Sequence, residues 1–260
     1  MILRSIAKSI RKQDWSVLFL ELVVVVVGLM LAFQLDRWWE GQADRSHERD
    51  YINRLITEVQ DDVEQISFAM ELAEVRQGFG DLLIEAAADP LVAERQPAMF
   101  LVAVAQAPFT YTPSLTSHAF EELRSTGGMG LIRSTEIKSA LYDYYGFHAS
   151  QSQFLRLNLN IEMRYFELAA EVLTADQYEW VQDQWFVVNN DNIEEVSQAE
   201  PDPEALPGAI DRFLGNQALL AWLPRTRGVQ REQILINRAL LERADRLLAS
   251  LQDYSIAISH

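Results

Sequence analysis

Glu21 is the residue whose setting most invites chemistry. It stands in Ser16–Leu35, SVLFLELVVVVVGLMLAFQL, a twenty-residue run in which Ser16, Glu21 and Gln34 are the polar exceptions. An ionisable group inside an apolar helix is costly to keep charged and points to a partner, a proton step or helix assembly. Glu21 lies roughly one and a half turns inside the run, where a carboxylate can snorkel to the boundary cheaply. Gly28 and Ala32 form a small-xxx-small pair beside which another helix could pack.

Farther along, His118, Glu121 and Glu122 put a histidine and two acids at helical spacings of three and four. That arrangement suits a metal ion or a proton relay, although one histidine with surface glutamates reads better as a solvated face. His47 with Glu48 gets the same reading. Asn189, Asn190, Asp191, Asn192, Glu194 and Glu195 offer oxygen ligands for calcium but lack the Asp-x-Asn-x-Asp-Gly order of a calcium loop, which favours an acidic loop. Gly127-Gly128-Met129-Gly130 fits neither phosphate-binding pattern and reads as a turn needing positive φ. No serine sits in a nucleophile-elbow context. No catalytic residue and no cofactor is assigned.

The elements that carry these residues begin with the apolar run. About twenty helical residues reach roughly 30 Å, the thickness of a bilayer's hydrocarbon core. The run is longer than a secretory signal's apolar region and ends in Asp36-Arg37-Trp38-Trp39-Glu40 rather than a cleavage site, so it is expected to be an uncleaved anchor. Arg4, Lys8, Arg11 and Lys12 precede it against one acid, which places the N-terminus in the cytoplasm and the rest in the periplasm. Trp15 at one boundary and Trp38-Trp39 at the other fit the aromatic belts of a spanning helix. Ile2, Leu3, Ile6 and Ile10 against the four basic residues make residues 1–14 a basic amphipathic segment for the cytoplasmic headgroup layer. A segment that short holds no output domain, so inward signalling would have to pass through the span.

Beyond Gly41 the chain carries 17 basic and 34 acidic residues, a formal charge of −17, which argues against nucleic acid and anionic lipid as partners of this part. There are no cysteines, which removes disulfides, thiol catalysis and thiolate metal sites. About 220 residues suffice for one sizeable core, or at most two.

Periodicity is helical almost throughout. Ile52, Leu55, Val59, Val63, Ile66, Met70 and Ala73 step by three or four, with Glu58, Asp61, Asp62 and Glu64 elsewhere on the wheel. With no proline between Trp15 and Asp89, the anchor is expected to continue into a stalk helix that Asp89-Pro90 ends. The spacing drifts from a strict heptad between Val59 and Val63, which predicts a bundle helix rather than a sustained coiled coil. Short helices are expected at Pro97–Ala107 and Thr116–Ser125. Ser134 should cap a helix through Tyr145 that Gly146 bends or ends. Further helices are expected at Ser150–Leu173, Ala175–Gln184, Ala209–Trp222 and, after a break at Pro224, Val229–Tyr254, whose stripe is Ile236, Leu240, Leu247 and Leu251. Val187–Gly208, with three prolines, reads as an exposed acidic loop.

Three stretches carry a resemblance. The anchor ending AFQLDRWWE, the charged helix YINRLITEVQDD and the run SHAFEELRSTGGMGLIRSTEIKSALYDYY resemble a bacterial family of single-pass membrane proteins catalogued only as a domain of unknown function. The matching positions are Gln34, Trp38, Tyr51, Leu55, Glu122, Leu123, Ser125, Gly127, Ile132, Tyr144 and Tyr145, covering about the first 75 residues and 110–150. The resemblance implies a membrane-anchored helical protein and carries over no activity.

The expected architecture is all-α: a cytoplasmic segment 1–14, an anchor 15–39, a stalk 40–89 and a periplasmic helical domain 90–260 with the acidic loop near 187–208. The expected partners are the lipid bilayer and either further copies of the chain, as a homo-oligomer, or other membrane-protein subunits of the bacterial inner membrane. The competing reading is a sensor-like bundle binding a small ligand among Tyr142, Tyr144, Tyr145, Trp180 and Trp185. An enzyme ranks third.

Overall fold

The computed structural model describes residues 15–185 and 206–259, without the side chains of 15–18, 20, 21, 36, 37, 40, 152–157, 184, 185 and 207. Every described element is helical: α1 (Trp15–Ala88), α2 (Leu91–Arg95), α3 (Pro97–Gln106), α4 (His118–Ser125), a 3-10 turn (Gly128–Gly130), α5 (Thr135–Ala169), α6 (Ala175–Trp185), α7 (Leu206–Gly215), α8 (Gln217–Leu220) and α9 (Leu223–Ile258).

α1 is one helix of 74 residues, in which the stalk continues the apolar run without a break. Asp89-Pro90 stops it, because a proline disfavours helical geometry in the residue before it. Near its N-terminal end α1 is exposed: Phe19 and Leu22–Leu35 lie uncovered among the described residues. Among the described residues no helix is long and apolar enough to cross a membrane. The side chains at 16–18, 20 and 21, which complete the twenty-residue run of the sequence, are outside that description.

From Glu48 onward α1 pairs with α9, and the buried positions correct the expectation of a drifting pattern. On α1 they include Glu48, Ile52, Leu55, Val59, Asp62, Ile66, Ala69, Ala73, Arg76, Gly80 and Leu83, an unbroken alternation of four and three, with Leu72, Phe79 and Ala86 buried beside it. On α9 they include Leu223, Thr226, Gln230, Gln233, Asn237, Leu240, Ala244, Leu247 and Leu251, with the same alternation. Both helices therefore present heptad seams, which keep one face toward a partner along the whole length. Asp62, not Val63, occupies the seam; a carboxylate there hid the repeat. The pair is antiparallel, since Arg227 bonds Asp81 at one end and Tyr254 bonds Glu48 at the other. Gly80 lets the helices touch: a Cβ there would meet the Arg227 Cβ at 3.2 Å.

α5 lies along α9 and runs parallel to α1. It is continuous from Thr135 to Ala169, so Gly146 neither ends nor divides it. A single glycine costs only about 1 kcal/mol in a helix, and the flanking Tyr144, Tyr145 and Phe147 all pack against one core. Ser134 caps it as expected, accepting the Ile137 N–H at 3.2 Å. Pro224 falls in the first turn of α9 instead of breaking it, a place where the missing N–H has no helical partner to lose. The expected helix at Ala209–Trp222 is two, α7 and α8, joined at Asn216, which accepts the Leu219 N–H. Residues 206–208 open α7 rather than closing a loop.

Two apolar cores form. The proximal one gathers Ile52, Leu55, Val59, Leu123, Leu141, Tyr144, Leu240 and Leu247 from α1, α4, α5 and α9, with Ile132 from the connection before α5. The distal one centres on α3, with Phe100 edge-on to Phe213 of α7 at 5.3 Å, and includes Leu83, Tyr165, Val172 and Val181. Between them the seam turns polar.

Candidate functional site

The acids of α1 do the most specific work in the fold. Glu48, Glu58 and Asp62 rise along one side of the helix and hold the segment 116–133 by its backbone. Asp62, 1% exposed, accepts the Thr116 N–H at 2.7 Å and the Tyr144 hydroxyl at 2.8 Å. Glu58 accepts the Ala119 N–H at 2.9 Å, in the first turn of α4, where a helix leaves donors unsatisfied and favours negative charge. Glu48 accepts the Arg133 N–H at 2.7 Å and the Tyr254 hydroxyl at 2.6 Å. Sequence periodicity placed Glu58 and Asp62 off the apolar face; Glu58 is half-buried beside it, whereas Asp62 lies on it, because a backbone donor from a distant loop and the Tyr144 hydroxyl supply the partners that make its burial tolerable.

Burial dominates the electrostatics of this ladder. It pushes the Asp62 carboxyl up to about 6, against the lowering effect of the Thr116 and Tyr144 hydrogen bonds. The Tyr144 and Tyr145 hydroxyls are likewise raised, chiefly by burial, and stay protonated. Both Asp62 oxygens are engaged and the group is closed to solvent, so it has the titration range of a general base but no route to a substrate.

The His118, Glu121 and Glu122 candidates do not converge. Glu122 accepts from the Tyr51 hydroxyl at 2.7 Å and from Arg54 at 2.8 Å, both on α1; these bonds lower its pKa, Arg54's first. Glu121 pairs instead with Arg124 on its own helix. His118 is exposed at the start of α4. Among the described residues no three His, Asp or Glu side chains gather to hold a metal ion. His47 faces outward while Glu48 is buried.

The other sequence candidates separate similarly. Trp38 and Trp39 are exposed and stand edge to face at 5.5 Å, and Gly28 and Ala32 lie on the exposed apolar surface of α1. The side chains of Trp15 and Glu21, the segment 1–14 and the Asn189–Glu195 run lie outside the described residues. Gly127 has φ of 76°, the positive value its turn was expected to need. Among the described residues the aromatics of the sensor reading do not share a pocket: Tyr144 and Tyr145 belong to the proximal core, Tyr142 is half exposed, and Trp180 packs on the distal core; the side chain of Trp185 lies outside the described residues.

Sequence reasoning missed the polar waist between the cores. It is made of Arg76 on α1, Asn158 and Glu162 on α5, and Thr226, Gln230, Gln233 and Asn237 on α9, of which all but the half-buried Glu162 are buried. Glu162 accepts from the Thr110 N–H and hydroxyl. Arg76 lies 5.9 Å from the Phe109 ring centre, and burial lowers its pKa to about 10. Gln230 donates to the carbonyls of Ala107 and Phe109. The signal was present in α9, whose seam reads Thr-Gln-Gln-Asn where leucines would be expected, but only the heptad register reveals it.

Two cavities flank the waist. One, about 720 Å³, is an open apolar cleft between α3, α5 and α6, with Phe109, Phe166, Leu173 and Tyr178 in its wall. The other, about 280 Å³, is more polar and lies between α5, α9 and the loop 112–115.

Compared with known protein families, with characterised proteins and with solved structures, the chain matches none.

Proposed function

We propose that the protein is a single-pass inner-membrane protein that works by association, either with further copies of itself or as an accessory subunit of a larger membrane complex, and that it is not an enzyme. The observation that carries this reading is the continuity of α1: one helix holds the exposed apolar run at one end and the heptad seam with α9 at the other. An apolar surface of that extent calls for lipid or a partner helix. The Gly28 and Ala32 pair offers a place for close helix approach. In this reading residues 16–35 span the bilayer, the N-terminus is cytoplasmic and the helical domain is periplasmic. The carboxylates best placed for chemistry serve as fixed acceptors for backbone donors, which supports a structural over a catalytic role.

Chemical crosslinking in intact membranes, followed by mass measurement in several mild detergents, tests the proposal. Crosslinked species of defined size are expected. A monodisperse monomer in every detergent, with no crosslinked partner, would overturn it.

A further inference from the structure

We infer that a second copy of the chain docks its α1 against the outer face of α9, with the arginines of one helix set against the acids of the other. This deepens the association reading above and rests on its self-association branch and its upright anchor. α9 holds six arginines against four acids, in a part of the chain whose formal charge from Gly41 onward is −17. Arg227 and Arg243 are taken up by Asp81 and Asp143 of the same chain. Arg231 and Arg238 are exposed, lie outside the seam and have no hydrogen-bond or ion-pair partner among the described residues; Leu235, 54% exposed, stands between them. Arg225 is exposed and lies over the Trp222 ring at 4.5 Å. Glu232 is half-buried beside them, and farther along Glu242 and Asp245 offset Arg246, which confines the cationic face to the first half of the helix. α1 is the converse. Between Thr57 and Ala88 its exposed charges are Asp61, Glu64, Glu71, Glu74 and Glu85, and its only cation there, Arg76, is buried.

The two faces match in height. Arg227 bonds Asp81 and Ser255 bonds Asn53, which fixes one antiparallel register for the whole pair. In that register Arg225 stands level with Leu83, Arg231 with Gln77 and Arg238 with Met70. Glu85, Glu74 and Glu71 therefore each lie within one helical turn of an arginine's level. Copies anchored upright in one bilayer keep these levels, so α9 of one copy set beside α1 of the next aligns all three pairs without tilting either. A single exposed ion pair contributes little. Shared anchoring raises the local concentration of copies, and charge then selects the face and the register rather than supplying the affinity. Because unlike faces meet, the contact is heterologous and builds a ring or a row.

The test is crosslinking between differently tagged full-length copies in native membranes with a short bismaleimide, each copy carrying one cysteine at an exposed position. Arg231→Cys and Glu74→Cys copies expressed together should link to each other at least about fivefold more than either links to itself. Arg225→Glu with Arg238→Glu on the first copy should remove that excess, and Glu71→Arg with Glu85→Arg on the second should restore it. Absence of the mixed link, an equally strong link between two Arg231→Cys copies, or a mixed link indifferent to charge reversal would each overturn the inference. So would a link within one chain between Arg231→Cys and Glu195→Cys that forms in place of the mixed one, which would give the stripe to the chain's own acidic run. An alkaline wash of the same membranes separates the two levels of the argument. A missing link in a chain that stays in the membrane overturns this contact alone, whereas release of the chain overturns the anchored reading beneath it.

Discussion

The Tyr144 hydroxyl donates to the Asp62 carboxylate at 2.8 Å, joining the middle of α1 to α5 across 82 residues of sequence. The other oxygen of the same carboxylate holds the Thr116 N–H. One buried acid thus fixes a helix and a loop to the stalk at once, and its removal should be felt in both.

For Asp62 the consequence is a pH dependence. Its pKa rises from 3.8 to about 6 on folding, so between those values the native state binds more protons than the unfolded chain. Its contribution to stability is therefore fully present below about pH 4 and is lost as pH rises through 6, a swing of about 2 to 3 kcal/mol. Asp62→Asn keeps an acceptor for Thr116 and removes the titration. Urea denaturation should show the stability of wild type relative to Asp62→Asn falling across that window. A difference that rises with pH would mean that the hydrogen bonds outweigh burial. Asp62→Ala, which strands both donors, should cost about 2 to 4 kcal/mol below about pH 4, and that cost should shrink by the same swing as pH rises through 6.

Glu48 closes one end of the bundle through Arg133 and Tyr254. Glu48→Ala is expected to cost about 2 to 3 kcal/mol and Tyr254→Phe about 1 kcal/mol, with the double variant costing less than their sum. Denaturation of the four proteins measures the coupling. Strict additivity would show that the contact carries no energy.

Gly78 and Gly80 make a matched pair two residues apart. A Cβ at Gly80 meets Arg227, whereas one at Gly78 meets nothing. Gly78→Ala should stabilise by about 0.5 to 1 kcal/mol through helix propensity alone. Gly80→Ala should lose that gain and more, because α9 must move away. Equal thermal shifts for the two would contradict the close approach.

Much of this fold was legible in the sequence, and the exceptions share a cause. Apolar spacing gave the helices, Asp89-Pro90 gave the end of α1, and Ser134 gave the start of α5. What stayed hidden depended on partners far along the chain. Asp62 looks like a surface acid until Thr116 and Tyr144 are brought to it, and with Asp62 misplaced the heptad of α1 appears to drift. Gly146 looks like a helix end because propensity is local and the packing of Tyr144 and Tyr145 is not. The His118, Glu121 and Glu122 spacing was real, yet Glu122 is drawn to Arg54 and Tyr51 on another helix. The polar waist could have been suspected only from α9, after its seam was in register.

Orientation can be read with a chain that has no cysteine of its own. A membrane-impermeant maleimide on intact cells with a permeabilised outer membrane should label Ser250→Cys, at an exposed position of α9, and leave Ser5→Cys unlabelled until the inner membrane is opened. The reverse pattern would invert the topology, and equal labelling of both would remove the anchor.

The most direct measurement is the mass of the full-length protein extracted gently from its native membrane, with identification of whatever accompanies it. Association predicts that the chain resists an alkaline wash and emerges either as a defined homo-oligomer, which would direct attention to Glu21, Gly28 and Ala32, or with stoichiometric foreign subunits. Recovery of the chain in the soluble fraction, or as a lone monomer, would contradict a membrane-anchored protein that acts through its assemblies.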